Sequence, residues 1–356
     1  MKIASVTSAK KELGLLRPYS IAYKTVDSVA VSLVTITLED GSYGLGSSNP
    51  SPYVVNESLE ETITSLAADD FSWLVGQDIR HVQQLLFEVN KRYPLQPGVR
   101  SALDIALYDA FTKYLGIPLA SFLGQKITSL YTSITIGIKN VEETLEEATE
   151  YVERGFKILK VKLGISFEED IERLVKIREK YGKDILVRID ANQGYNFEQI
   201  SDFHQKTKSL EIELIEQPID AKNIAPMREL PQELKALIAA DESLISPQSA
   251  FELASPPAAC GIFNIKLMKC GGVSKALEIA TIAQNSGIDL MWGCNDESII
   301  SITAALHAAL ACPHTKYIDL DGSLDLAKDV VSGGFILEEG KMRINGQAGL
   351  GVKLID

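Results

Sequence analysis

From Lys162 onward this chain repeats one arrangement. A short apolar, strand-like segment closes on a charged or polar residue, and the next follows about one supersecondary unit later. The segments are KILKVKLG with Lys160 and Lys162, ILVRIDAN with Asp190, IELIEQP with Glu216 and LIAADES with Asp241. IFNIKLM with Lys266, LMWGCND with Cys294 and YIDLDG with Asp319 and Asp321 complete the set. From Lys162 to Asp321 the steps are 28, 26, 25, 25, 28 and 27 residues. A period of that length, built from strand, helix and loop, marks repeated βα units. Ionisable residues at the C-terminal ends of such strands are where a (β/α) barrel keeps its chemistry.

Eight strand segments can be counted between Tyr131 and Asp321, beginning with YTSITIG. Amphipathic helices such as VEETLEEATEYVERG and SFEEDIERLVKIREKYG separate most of them, and eight strands close a barrel. Residues 1–125 read differently. SVAVSLVTITLEDGSYGLG alternates as a β-hairpin turning at Asp40-Gly41, and helices are expected near Asn56–Ala68, Ile79–Arg92 and Val99–Leu115. After the eighth strand, DGSLDLAKDVVSGG leads into a hairpin, FILEEGKMRIN. The expected organisation is an α+β capping domain at 1–125, a barrel at 126–322 and a tail at 323–356 that packs back on the cap.

At 356 residues the chain has room for both units. A net charge of −13 and a pI near 4.9 exclude nucleic acid and anionic membrane as expected partners. Four cysteines with no CxxC pair fit a reducing, cytoplasmic setting. The first residues, MKIASVTSAKKELG, lack the apolar core of a secretory signal, and no stretch approaches a membrane span. A homo-oligomer is left open.

Strand alternation places Lys160 with Lys162, Arg188 with Asp190, Asn264 with Lys266 and Asp319 with Asp321 on the inner face. Charges there carry a large desolvation cost unless they pair or bind a metal. Asp190, Glu216 and Asp241 come from consecutive strands, so a hard divalent cation such as Mg²⁺ would relieve their repulsion. Alternatively each acid caps the helix after it. Lys266 lies four strands beyond Lys162, across the mouth of an eight-stranded barrel. A lysine beside a metal and another ammonium can have a lowered pKa and act as a general base. The alternative is a structural ion cluster with the three carboxylates. No nucleophile or nucleotide-binding motif is present; His307 reads as packed, Cys294 as a backbone contact and Gly271-Gly272 as a turn.

Taken together, KVK at Lys160–Lys162, DAN at Asp190–Asn192, EQP at Glu216–Pro218, DES at Asp241–Ser243 and KLMKCGG from Lys266 resemble the muconate-lactonizing subgroup of the enolase superfamily. That resemblance implies a (β/α)₇β TIM-type barrel with an α+β cap, Mg²⁺ on Asp190, Glu216 and Asp241, and Lys162 and Lys266 as the acid/base pair. Within the subgroup IDLDG looks like the motif of dipeptide epimerases, in which Asp319 and Asp321 would receive the substrate's α-ammonium. Lys160 would neighbour its carboxylate. Thr135, Cys294 and Lys24, the last on a loop of the cap, would line the substrate. The implied activity is Mg²⁺-dependent 1,1-proton transfer at the C-terminal residue of an Ala-Xaa-type dipeptide. The competing expectations are an o-succinylbenzoate synthase, an N-acylamino acid racemase or a lactonizing cycloisomerase, and beyond them a Schiff-base aldolase or a metal-binding scaffold.

Overall fold

The computed structural model describes residues 1–17, 19–21, 24–26, 28–164 and 166–355, without the side chains of 18–27. Three antiparallel strands form the first sheet, in the order β1 (Ile3–Glu12), β4 (Ala30–Leu38), β5 (Tyr43–Ser48). Between them, β2 (Tyr19–Ile21) and β3 (Lys24–Val26) make a separate two-stranded pair. The β4–β5 hairpin turns at Asp40-Gly41, where Gly41 takes φ +84° and Asp40 Oδ1 accepts from Ser42 N. β1 is mostly polar and exposed, so the alternation of its neighbours gave no notice of it. Its lysines suit an edge strand.

The helix Pro97–Leu115 starts on a proline and ends at Gly116 with φ +70°. Most of its length is buried on all sides, because the sheet lies on one flank and barrel helices on the other. Gly44 and Gly46 of β5 permit that approach: a Cβ on Gly46 would stand 1.9 Å from the Ala102 carbonyl oxygen. Gly46→Ala is therefore expected to destabilise the fold by about 1–3 kcal/mol, the range of overpacked cores, seen as a lowered urea midpoint.

The second sheet holds eight parallel strands: β7 (Ile134–Ile136), β8 (Ile158–Lys162), β9 (Leu186–Asp190), β10 (Leu214–Glu216), β11 (Ile238–Ala240), β12 (Ile262–Ile265), β13 (Asp289–Gly293) and β14 (Thr315–Asp319), introduced by the short β6 (Leu130–Tyr131). They are hydrogen-bonded in sequence order, and the ring closes through a parallel bridge between Thr132 and Ile318. A helix or helix pair follows each strand from β7 to β13, and among the described residues none follows β14. This is the (β/α)₇β barrel with an N-terminal capping unit.

After β14 the chain turns toward the N-terminal unit. Leu16 N donates to Asp325 O, and Leu326 packs with Leu13, Val29 and Val31. It then runs through β15 (Val331–Gly333), β16 (Phe335–Glu338), β17 (Lys341–Ile344) and β18 (Val352–Leu354). The β16–β17 hairpin does not lie on the capping sheet; it pairs with β6 beside the barrel. Only after it does Leu350 N return to Asp109 of the Pro97–Leu115 helix.

His307 is buried, its Nδ1 accepting from Ala120 N, and burial pushes it down to about 3, so it stays neutral and structural. At Gly271-Gly272 the helix Val273–Ser286 begins on a carboxylate from the cap. Asp104 accepts from Val273 N at 2.6 Å and from Ser274 N at 3.3 Å. Among the described residues no helix is long and apolar enough to cross a membrane.

Candidate active site

Strand register sets the depth of each group. Lys162 pairs with Asp190 and Asp190 with Glu216, so these three form one row across β8, β9 and β10. Glu216 pairs with Ala239, which puts Asp241 one pleat nearer the mouth. Lys160 and Arg188 form the row beneath Lys162 and Asp190. Arg188 is buried; it donates to Ile318 O at 2.7 Å and pairs with Glu213 at 2.6 Å.

Each carboxylate is turned onto a lysine. Lys160 Nζ lies 2.8 Å from Glu216 Oε2, 2.8 Å from Asp319 Oδ2 and 3.3 Å from Asp190 Oδ2. Lys162 Nζ is 2.5 Å from Asp190 Oδ2, and Lys266 Nζ is 2.9 Å from Asp241 Oδ2. Lys269, which no strand-end pattern marks, is buried against Asp241 Oδ1 and donates to Asn264 O at 3.1 Å. The helix-cap alternative for these acids does not hold: the helices after β9, β10 and β11 have Asn196, Ile224 and Ser246 at their N-caps.

The electrostatics follow from this pairing. Burial alone would discharge Lys160 and Lys266, but the carboxylates of Asp319, Glu216 and Asp190, and of Asp241 and Glu216, more than offset it and hold both ammoniums well above the usual lysine range. At Lys266 the carboxylates of Asp241 and Glu216 outweigh the neighbouring Lys160 ammonium. Burial and then Asp190 push Glu216 up to about 8; burial and then Asp241 push Glu242 up to about 7.

Among the described residues no three acidic, histidine or cysteine side chains stand at metal-ligand spacing as arranged. The donor set nonetheless fits a hard divalent cation. Asp190, Glu216 and Asp241 are oxygen donors gathered around Lys160, Lys162, Lys266 and Lys269 in the barrel interior. Burial first, and then a neighbouring carboxylate, raises Glu216, Glu242 and Asp321. Asp190, Glu216 and Asp241 are the residues that could hold the ion.

Asp319 and Asp321 stand in different surroundings. Asp319 is buried, with its oxygens taken by Lys160 and by Ser133 Oγ at 2.6 Å. Asp321 is nearer the opening; Oδ2 accepts from Thr135 N at 2.7 Å, and burial followed by Asp319 pushes it up to about 7. Cys294 Sγ makes backbone contacts, to Asp319 O at 3.2 Å and from Gly322 N at 3.3 Å, and burial holds its thiol well above the usual range. Lys24 falls in 18–27, whose side chains lie outside the described residues.

Lys160, Lys162, Lys266, Asp241, Glu242, Asp319, Asp321, Thr135 and Cys294 line a cleft of about 590 Å³ between barrel mouth and cap, while Asp190 and Glu216 are fully buried. Sequence reading missed its rim. Among the described residues, Glu12, Glu60, Glu147, Asp296 and Asp325 outnumber Lys10, Arg17 and Lys139 there. Lys10 and Lys139 are paired with Glu60 and Glu147, at 2.7 and 2.9 Å. These acids sit on loops, helices and a capping strand, so the strand-end period does not mark them.

Residues 143–356 match the family model described as enolase C-terminal domain-like. Residues 3–124 match the mandelate racemase / muconate lactonizing enzyme N-terminal domain. An L-Lys-D/L-Arg epimerase of Methylococcus capsulatus is 50% identical over 99% of both chains. An L-Ala-D/L-Glu epimerase of Clostridium acetobutylicum is 33% identical over 100% of both. A dipeptide epimerase from Methylococcus capsulatus, solved with Mg and the dipeptide L-Arg-D-Lys, superposes with a TM-score of 0.97 at 50% identity over 99% of both chains.

Proposed function

Because the chain belongs to the mandelate racemase / muconate lactonizing enzyme family of the enolase superfamily, we propose that it is a Mg²⁺-dependent isomerase that epimerises the second residue of a dipeptide. The observation that carries this is a pair of lysines on opposite walls of an acidic mouth, Lys162 ending β8 and Lys266 following β12, with Asp321 at the edge. Residues 1–125 would close over that mouth as the cap.

One lysine takes the α-proton from one face, and the other returns a proton to the opposite face. Asp190, Glu216 and Asp241 would hold Mg²⁺, which would supply positive charge to stabilise the substrate carboxylate as the α-carbon is deprotonated. Asp321 accepts from the substrate's α-ammonium; Asp319 acts behind it by fixing Lys160. Thr135 and Cys294 shape that end of the cleft through Asp321 and its loop.

The acidic rim favours a cationic dipeptide over an Ala-Xaa one, in keeping with the names of the half-identical relatives. The test is α-proton exchange in D₂O, followed by NMR, across Lys/Arg, Ala-Glu and apolar dipeptides. Exchange from cationic dipeptides at least about tenfold faster in kcat/KM than from Ala-Glu is expected, the scale of one charge-assisted contact. Faster turnover of Ala-Glu would overturn the cationic reading. The racemase reading meets a separate check. Asp321→Asn is expected to lower kcat/KM for a free dipeptide by about ten- to a hundredfold. An N-acetyl cap should impose a similar loss on the wild type and a smaller one on the variant. Preference of the wild type for the acetylated compound would establish the N-acyl racemase instead.

A further inference from the structure

The two lysines differ in what holds them. Lys266 meets carboxylates, Asp241 at 2.9 Å and Glu216 at 3.9 Å. Lys162 meets Asp190 and, in addition, a neutral acceptor, Asn192 Oδ1 at 3.2 Å. That amide is itself fixed at two points. Asn192 Nδ2 donates to Glu242 Oε1 at 3.3 Å, and Asn192 N donates to Asp190 Oδ1 at 3.0 Å. Asn192 stands just past β9 with φ +43°, a left-handed conformation that asparagine tolerates better than most side chains. Glu242 sits two strands away, just past β11, on the cleft wall and 9% exposed. Its Oε2 is buried with no hydrogen-bond partner among the described residues. Nothing in the proposed chemistry uses Glu242, yet a buried carboxylate is expensive to keep without a task.

On the premise that Lys162 is one of the two bases, we infer that Asn192 and Glu242 are its positioning residues. Asp190 is shared with the proposed metal site, so the amide oxygen is the acceptor that belongs to Lys162 alone. An amide can turn either its oxygen or its NH₂ toward a neighbour. With Glu242 accepting from Nδ2, the oxygen faces the lysine, and Nζ is held along one line into the cleft. Lys266 has no such amide contact among the described residues, so loss of the network acts on one face of the substrate only.

The experiment measures α-proton exchange in D₂O separately from the two isomers of one dipeptide. The isomer handled by Lys162 is identified as the one silenced in Lys162→Ala. Asn192→Gly keeps the left-handed backbone and removes the amide. It is expected to slow exchange from that isomer by about ten- to a hundredfold, the scale of a misplaced reacting group. Exchange from the other isomer, and Mg²⁺ affinity by calorimetry, should stay within about threefold. Glu242→Leu should reproduce the asymmetry, and decides the matter if Asn192→Gly fails to fold. Glu242→Gln retains an acceptor oxygen and should restore the wild-type pattern. Equal losses from both isomers, or none from either, overturn the inference while leaving the epimerase reading intact. No exchange in the wild type from any dipeptide overturns both.

Discussion

Alanine at Lys162 or at Lys266 is expected to lower epimerisation by about 10²- to 10⁴-fold, the contribution of a positioned acid or base. Epimerisation needs both lysines, whereas exchange with retention needs one. Lys162→Ala and Lys266→Ala should therefore keep residual exchange from opposite isomers, measured by loss of the α-proton signal in D₂O. The structure makes the variants interpretable. Asp190 keeps Lys160 at 3.3 Å when Lys162 is removed, and Asp241 keeps Lys269 when Lys266 is removed. Neither carboxylate is left as a lone buried charge, the situation that costs about 3–5 kcal/mol. Circular dichroism of both variants should match the wild type. Near wild-type epimerisation by either would refute the two-base assignment.

Glu216→Gln is expected to reduce turnover by at least about 10³-fold, together with a clear loss of Mg²⁺ affinity in calorimetry, because a charged ligand becomes a neutral one. The change is nearly isosteric, and Asn264 Nδ2, now 2.9 Å from Glu216 Oε1, keeps an acceptor. Chelation of the wild type should abolish turnover and Mg²⁺ should restore it. Glu213→Gln makes the same chemical change against Arg188, away from the cleft lining, and should leave Mg²⁺ affinity unaltered. Full activity after exhaustive chelation would end the metal-dependent reading.

Much of this protein was legible before its structure. The inner-face placement of Lys160, Lys162, Arg188, Asp190 and Asn264 followed from alternation alone, since a strand's side-chain period is a local property. The number and order of barrel strands followed from the spacing of apolar segments, and the absent eighth helix from the loss of helical period after Asp321. The motifs at Asp190, Glu216, Asp241 and Lys266 sit within a few residues of their strand ends, so a short window of sequence contains them.

What each charge touches was not legible. Lys160 meets Asp319, 159 positions away, because β8 and β14 come to the same interior when the barrel closes. That contact holds Asp319 buried behind Asp321, which lies nearer the opening. Lys269 reaches Asp241 from a short helix, and Asp104 of the cap starts a barrel helix 169 positions on. The acidic rim gathers Glu12 and Glu60 from the cap with Glu147 and Asp296 from the barrel and Asp325 from the segment after β14. The sequence by itself determined which residues stand at the strand ends, because periodicity is written in near neighbours. Only the tertiary structure decided their partners and the charge of the cleft, because Coulomb and hydrogen-bond energies depend on distances that closure of the barrel sets.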